Sequence, residues 1–256
     1  MRQSNRFLIL AATGMLMASG LGGTASAQMA MPPSTYATVL ADPVRTDADK
    51  ARDEARHTAE TLAFAEVMPG QTIGDMIIGG GFFTRTFAAA TGPTGKVIAW
   101  QPAEFIGFSP DYATSITAVD EIANVDAIRS PIGAPDFPTG LDLVFTAQNY
   151  HDMHIKEFAA DTATKVNAAV FAALKPGGLY VIVDHYAAAG TGITLTNALH
   201  RIDIAAVKSE VEAAGFVLDG ESDVLLNAAD PLTANVFDAS IRGHTSQFML
   251  RFRKPA

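Results

Sequence analysis

The chain has 256 residues, 48% hydrophobic and 18% charged, which is the composition of a globular protein with length for one sizeable core. Its formal net charge is -9 and its pI about 5.0, and Lys and Arg are scattered singly except for Arg251, Arg253 and Lys254, so there is no basic patch interleaved with aromatics and nucleic acid is not expected as a partner. Cysteine is absent, which excludes disulfides, thiolate catalysis and thiolate metal ligation.

Residues 1–27 read as an export signal: Arg2 and Arg6, an apolar run over 7–17, and small residues ending in Ala25-Ser26-Ala27. The run is shorter than the roughly 20 residues a bilayer span requires, and Gly14, Gly20, Gly22 and Gly23 weaken it as a helix. The sequence predicts export by the general secretory route, to the periplasm or the medium, with cleavage after Ala27 and no membrane attachment afterwards. Residues 28–46, rich in Met, Ala, Pro, Ser and Thr without a sustained period, read as a flexible lead-in, and residues 47–256 as the domain.

Within the domain, residues 47–66 carry alternating charge and good helix formers and predict one helix, ended by Met68-Pro69-Gly70. Strand and helix then alternate. Strands are expected over 72–78, 96–100, 125–129, 141–147, 179–183, 216–226 and 247–252, and helices over 80–90, 111–123, 155–174 and 196–214. Continuous apolar strands separated by helices specify a mostly parallel sheet of seven strands with helices on both faces. No helical pattern separates the last two strands, so the final strand is expected to run antiparallel.

The most informative stretch is the first strand running into Gly79-Gly80-Gly81 and then a helix, because a glycine turn there lets backbone approach a nucleotide-like ligand closely. Val67-Met68-Pro69-Gly70-Gln71-Thr72-Ile73-Gly74-Asp75 with Gly79-Gly80-Gly81-Phe82-Phe83-Thr84 resembles the first motif of the class I S-adenosylmethionine-dependent methyltransferases. Gly92-Pro93-Thr94-Gly95-Lys96-Val97-Ile98-Ala99 is similar to their lead-in to strand two, and Asp142-Leu143-Val144-Phe145 to the start of strand four. Leu174-Lys175-Pro176-Gly177-Gly178-Leu179 and Glu212-Ala213-Ala214-Gly215-Phe216 resemble the entries to strands five and six. In particular the chain resembles a group of exported bacterial predicted methyltransferases. The resemblance implies a Rossmann-like α/β fold and S-adenosylmethionine as cofactor, held by Asp75, Gly79, Gly80, Gly81, Phe82, Gln101 and Asn149. The chain departs from the family at Met76 and Ile77, where the motif has glycine, at Gln101, where an acid accepts the ribose hydroxyls, and at Ser130-Pro131, where an acid usually lies near the adenine. A β-branched Ile resists positive φ and fills space that glycine leaves.

Ligand chemistry in this architecture gathers beyond the carboxyl ends of the strands. Asn149-Tyr150-His151-Asp152-Met153-His154 follows strand four and Asp184-His185-Tyr186 follows strand five, so three of the six histidines fall at one edge of the sheet. The expected catalytic group is His151 or His185 as general base toward a small-molecule acceptor, with Asp184 orienting the ring; a purely structural tie between two loops is the alternative. His151, Asp152, His154, Asp184 and His185 are all acceptable Zn or Fe ligands, but their spacing matches no closed structural site and no metal is assigned. His200, at the start of the following helix, could reach the same mouth or lie on a solvated surface. Methyl transfer to a small acceptor is thus the first functional reading. The second is an exported, non-catalytic module that keeps the fold and holds another small ligand or a metal. Export predicts that N-terminal sequencing of secreted or periplasmic protein begins at Gln28; recovery of the full-length chain from the cytoplasm alone overturns it.

Overall fold

The computed structural model describes residues 31–256, and the expected export signal lies outside the described residues. A 3-10 turn Pro33–Tyr36 leads into α1 (Ala37–Ala41), α2 (Asp47–Lys50) and α3 (Thr58–Phe64). The alternating part follows as β1 (Thr72–Met76), α4 (Phe82–Thr91), β2 (Lys96–Trp100), α5 (Ala103–Phe108), α6 (Pro110–Asp120), β3 (Val125–Ile128) and β4 (Leu141–Ala147). A 3-10 turn His151–His154 precedes α7 (Thr162–Ala173) and β5 (Leu174–His185), and the chain ends with α8 (Thr196–Leu199), α9 (Ile204–Ala213), β6 (Val217–Ser222) and β7 (Gln247–Arg253).

The seven strands form one sheet in the order β3-β2-β1-β4-β5-β7-β6, with β7 antiparallel to both neighbours and the other pairs parallel. Side chains alternate across it. Tyr180 and Ile182 of β5 join Trp100, Val144 and Leu250 on one face, under Val166, Val170, Val207 and Val211 of α7 and α9. Leu179, Val181 and Val183 join Ile73, Val97 and Phe145 on the other, under Leu62, Phe87, Ile116 and Val119 of α3, α4 and α6. Burial on both faces is what the continuous apolar strands require. Phe83 and Phe87 of α4 pack on Phe145 of β4 with ring centroids 4.6 and 5.1 Å away, each pair contributing about 0.5–1.5 kcal/mol beyond area burial and fixing the helix that follows the glycine turn.

Several boundaries differ from the sequence reading. Much of the expected flexible lead-in is folded: Tyr36 is buried and its hydroxyl donates to the Val67 carbonyl at 2.7 Å, while the buried Arg45 guanidinium holds Asp53 through contacts of 2.5 and 2.8 Å. Two isolated anchors of this kind leave no periodic trace. The single helix expected over 47–66 is interrupted: a reciprocal cap between Thr46 and Asp49 starts α2, and His57 at φ 43 separates it from α3. α5, right after Pro102, was not anticipated, and α7 starts later than expected because the preceding residues form the 3-10 turn. The helix expected over 196–214 breaks at His200, whose φ is 54, and restarts with the Asp203 side chain accepting from the Ala205 N–H at 2.9 Å.

Candidate active site

The strand order reverses between β1 and β4, and the carboxyl ends of β1, β4 and β5 therefore border one crevice. The crevice opens as a cleft of about 410 Å³ whose walls include Asp75, Gly79, Gly80, Phe82, Asn149, His151 and His185. Seven of the ten site residues expected from sequence thus meet here. Gly81, Gln101 and Asp184 do not line it.

The β1–α4 loop explains two of these absences. Ile77 adopts φ 60, left-handed backbone that glycine enters without steric cost, and its amide and that of Ile78 both donate to the Trp100 carbonyl at 2.9 and 3.2 Å. The Asn149 side chain donates to the Ile77 carbonyl at 3.1 Å, so β4 helps hold the strained turn. Gln101 is fully buried; rather than offering itself to a ligand, its Oε1 accepts from the Gly79 N–H at 3.1 Å, and its Nε2 has no partner among the described residues. Gly81 is a packing residue: a Cβ there would lie 2.7 Å from Val119 Cγ1 of α6. Gly79 and Gly80 are different, since a Cβ at either meets nothing within 4 Å.

Asp75, at the end of β1, is buried and accepts from Thr84 Oγ1 at 2.5 Å. Burial pushes its carboxyl up to about 7, against the lowering effect of the Thr84 bond and of Arg85 and Arg56. Arg52 and Arg56 supply cations to the same cleft. The Arg56 guanidinium lies 4.7 Å from the Phe82 ring centroid and donates to Gln148 Oε1 at 3.1 Å, and burial, with Arg52 beside it, lowers its pKa to about 10. In sequence both arginines read as part of an ordinary charged helix, and their four-residue spacing is the only mark that sets them on one face.

At the β4–β5 rim, Asp184 is fully buried behind the cleft wall. Its Oδ2 accepts from the His151 N–H at 2.7 Å, and its Oδ1 meets His151 Nδ1 at 2.8 Å and accepts from the His185 N–H at 2.7 Å. The expected carboxylate–imidazole pair is therefore Asp184 with His151; toward His185 the carboxylate touches only backbone. Burial alone would lower the His151 pKa, but Asp184 and Asp152 raise it to about 10. Burial lowers His185 to about 4, Asp184 opposing and His151 and Arg201 reinforcing, and its Nδ1 lies 2.8 Å from Thr245 Oγ1. His200 comes to the same rim, its Nδ1 3.3 Å from His151 Nε2. His154 turns away to Glu210 at 3.0 Å.

No protein-family model matches the chain, and no curated protein is similar to it in sequence. Among solved structures it is similar to a SAM-dependent methyltransferase from Aquifex aeolicus, at 17% identity and a TM-score of 0.54, over 87% of this chain and 98% of that one. It is also similar to an S-adenosylmethionine-dependent methyltransferase from Mesorhizobium loti, at 16% identity and a TM-score of 0.55, over 79% of this chain and 100% of that one. A cyclase, SpnF, is similar at 16% identity and a TM-score of 0.54, over 82% of this chain and 81% of that one. The chain thus has the Rossmann-like fold of the class I S-adenosylmethionine-dependent methyltransferases. A cyclase on the same fold means that chemistry has to be argued from the site.

The raised carboxyl of Asp75 has a measurable consequence. Between its ordinary value of 3.8 and about 7 the folded state keeps a proton that the unfolded chain releases, so stability falls as pH rises through that window, by up to about 1 kcal/mol per pH unit. Asp75→Asn should raise the melting temperature at pH 8 and leave it near that of the parent at pH 4. An equal shift at both pH values would show that the Asp75 carboxyl does not titrate in this way.

Proposed function

We propose that this chain is an exported S-adenosylmethionine-dependent methyltransferase acting on a small-molecule acceptor. The observation that carries this reading is the open backbone of Gly79 and Gly80 facing the cleft at the β1–β4 switch point, with the Asp75 carboxyl in its wall. The cleft, about 410 Å³, falls within the roughly 300–1,000 Å³ common for small-molecule sites.

The residues present fit the cofactor's chemistry. Asp75 and Asn149 are the groups to hold an α-ammonium, Arg52 and Arg56 a carboxylate, and Phe105, Phe108 and Tyr112 form an aromatic wall suited to a purine. The ribose acceptor expected at position 101 is replaced by a buried amide that props the glycine loop, which leaves the backbone edge to do more of the binding. When bound, the cofactor supplies an electrophilic methyl group on a sulfonium. The chain then has to orient an acceptor in line with it and, for a weakly acidic acceptor, take a proton. His185 suits the second task, because it lines the cleft and its ring is uncharged at neutral pH, whereas His151 is engaged by two carboxylates.

Calorimetric titration with S-adenosylmethionine and S-adenosylhomocysteine tests the reading directly, and heat with neither leaves the exported small-ligand module in its place. Gly80 is the position for a matched variant, since its backbone is outside the left-handed region and an added side chain enters only cleft space. Gly80→Val should abolish the heat of binding while keeping the parent's melting temperature; undiminished binding would move the ligand elsewhere. Once an acceptor is found, His185→Gln should lower turnover by about 10²–10⁴, and an unchanged rate would remove His185 from proton transfer.

A further inference from the structure

The rim holds a second constellation that methyl transfer does not use. His151 Nε2, Asp152 Oδ1 and His200 Nδ1 form a triangle with sides of 3.2, 3.3 and 3.7 Å. We propose that these three atoms are the ligands of one divalent transition-metal ion, Zn²⁺ by geometry, whose remaining coordination position opens into the cleft.

Three donors each about 2.0–2.1 Å from a common ion stand about 3.4 Å apart in a tetrahedron and about 3.0 Å apart on an octahedral face, so the observed sides match the tetrahedral case. Two imidazoles and one carboxylate form the borderline donor set that first-row transition metals take, and three protein ligands with a fourth open position distinguish reactive from structural zinc sites. All three residues line the cleft, which is where the open position must face. A water or an ionisable oxygen of a small ligand is what it would take.

The surroundings are those of a metal site. His151 directs its Nδ1–H to Asp184 at 2.8 Å, which keeps that proton in place and leaves Nε2 as the nitrogen that gives up its proton for a cation in the triangle, and Asp184 is itself held by two backbone amides. His200 sits in left-handed backbone at φ 54, the strain that splits the expected helix and turns its ring to the rim. Its ring packs edge-on to Phe237 at 4.9 Å, and the next residue, Arg201, is locked in a fully buried pair with Asp230 at 2.9 Å. Without an ion, one N–H at His151 Nε2 would face both the Asp152 oxygen and the His200 nitrogen, and could satisfy only one of them well. An ion at the centre satisfies all three lone pairs. The sequence set of possible ligands lacked His200 and included His154, which is why no site emerged from spacing.

The test is titration of the chelator-stripped protein with Zn²⁺ by calorimetry and with Co²⁺ by visible absorption. The expected result is saturation at one equivalent with a tetrahedral Co²⁺ spectrum, lost in His200→Ala and in Asp152→Asn and retained in His154→Gln. Absence of uptake by the parent protein, or retention of full affinity in both ligand variants, overturns the proposal. The parent titration decides the matter even if a variant fails to fold. The outcome is independent of S-adenosylhomocysteine binding, so the metal site and the methyltransferase reading stand or fall separately.

Discussion

The site depends on one buried carboxylate. Asp184 has no access to solvent, and leaving its lone pairs unsatisfied there would cost several kcal/mol. The N–H groups of His151 and His185 and the Nδ1 of His151 meet that need. Satisfying the carboxylate therefore sets the backbone after β4 against the end of β5, and with it the orientation of the ring that faces Asp152 and His200. Replacing Asp184 would disturb three bonds in two loops, a coupled loss rather than a local one.

The opposite end of the cleft is arranged on a different principle. Asp75 is costly where it sits, because desolvation outweighs the hydrogen bond from Thr84 and the nearby arginines. Arg56 is costly too, covered by the rings of Phe82 and Phe83. Asp75 therefore keeps a proton up to about pH 7, and the half-buried Arg56 holds its charge against two rings, so neither group adds much to stability. In the proposed reading they would face the ammonium and the carboxylate of one ligand.

Much of the fold was legible because it rests on repetition: apolar strands of consistent length, glycine or proline at their entries, and a helix pattern between them. The failures share a cause. Tyr36 and Arg45 fasten the N-terminal segment through single long-range contacts, and His57 and His200 end helices by adopting left-handed backbone, none of which perturbs hydrophobic period. The site divided along the same line. Residues adjacent in sequence to strand ends, such as Asp75, His151 and His185, line the cleft where the strand pattern places them. Arg52, Arg56 and His200 line it as well and are hidden in sequence, because those positions reach the cleft through breaks in helices that read as continuous. Gln101 follows β2 as the sequence indicates, and only burial reveals that its oxygen faces the chain's own Gly79 amide.

Ile77, Gln148 and His200 all line the cleft, and all three have positive φ without being glycine. Such backbone costs roughly 1–2 kcal/mol per residue. The loop at Ile77 therefore has the torsion of a glycine turn without a glycine, its cost met by the carbonyl of Trp100 and the side-chain amide of Asn149. Signatures written in letters pass over such a turn. One written in dihedral angles would find it, and would set Ile77 beside glycine turns of the same conformation.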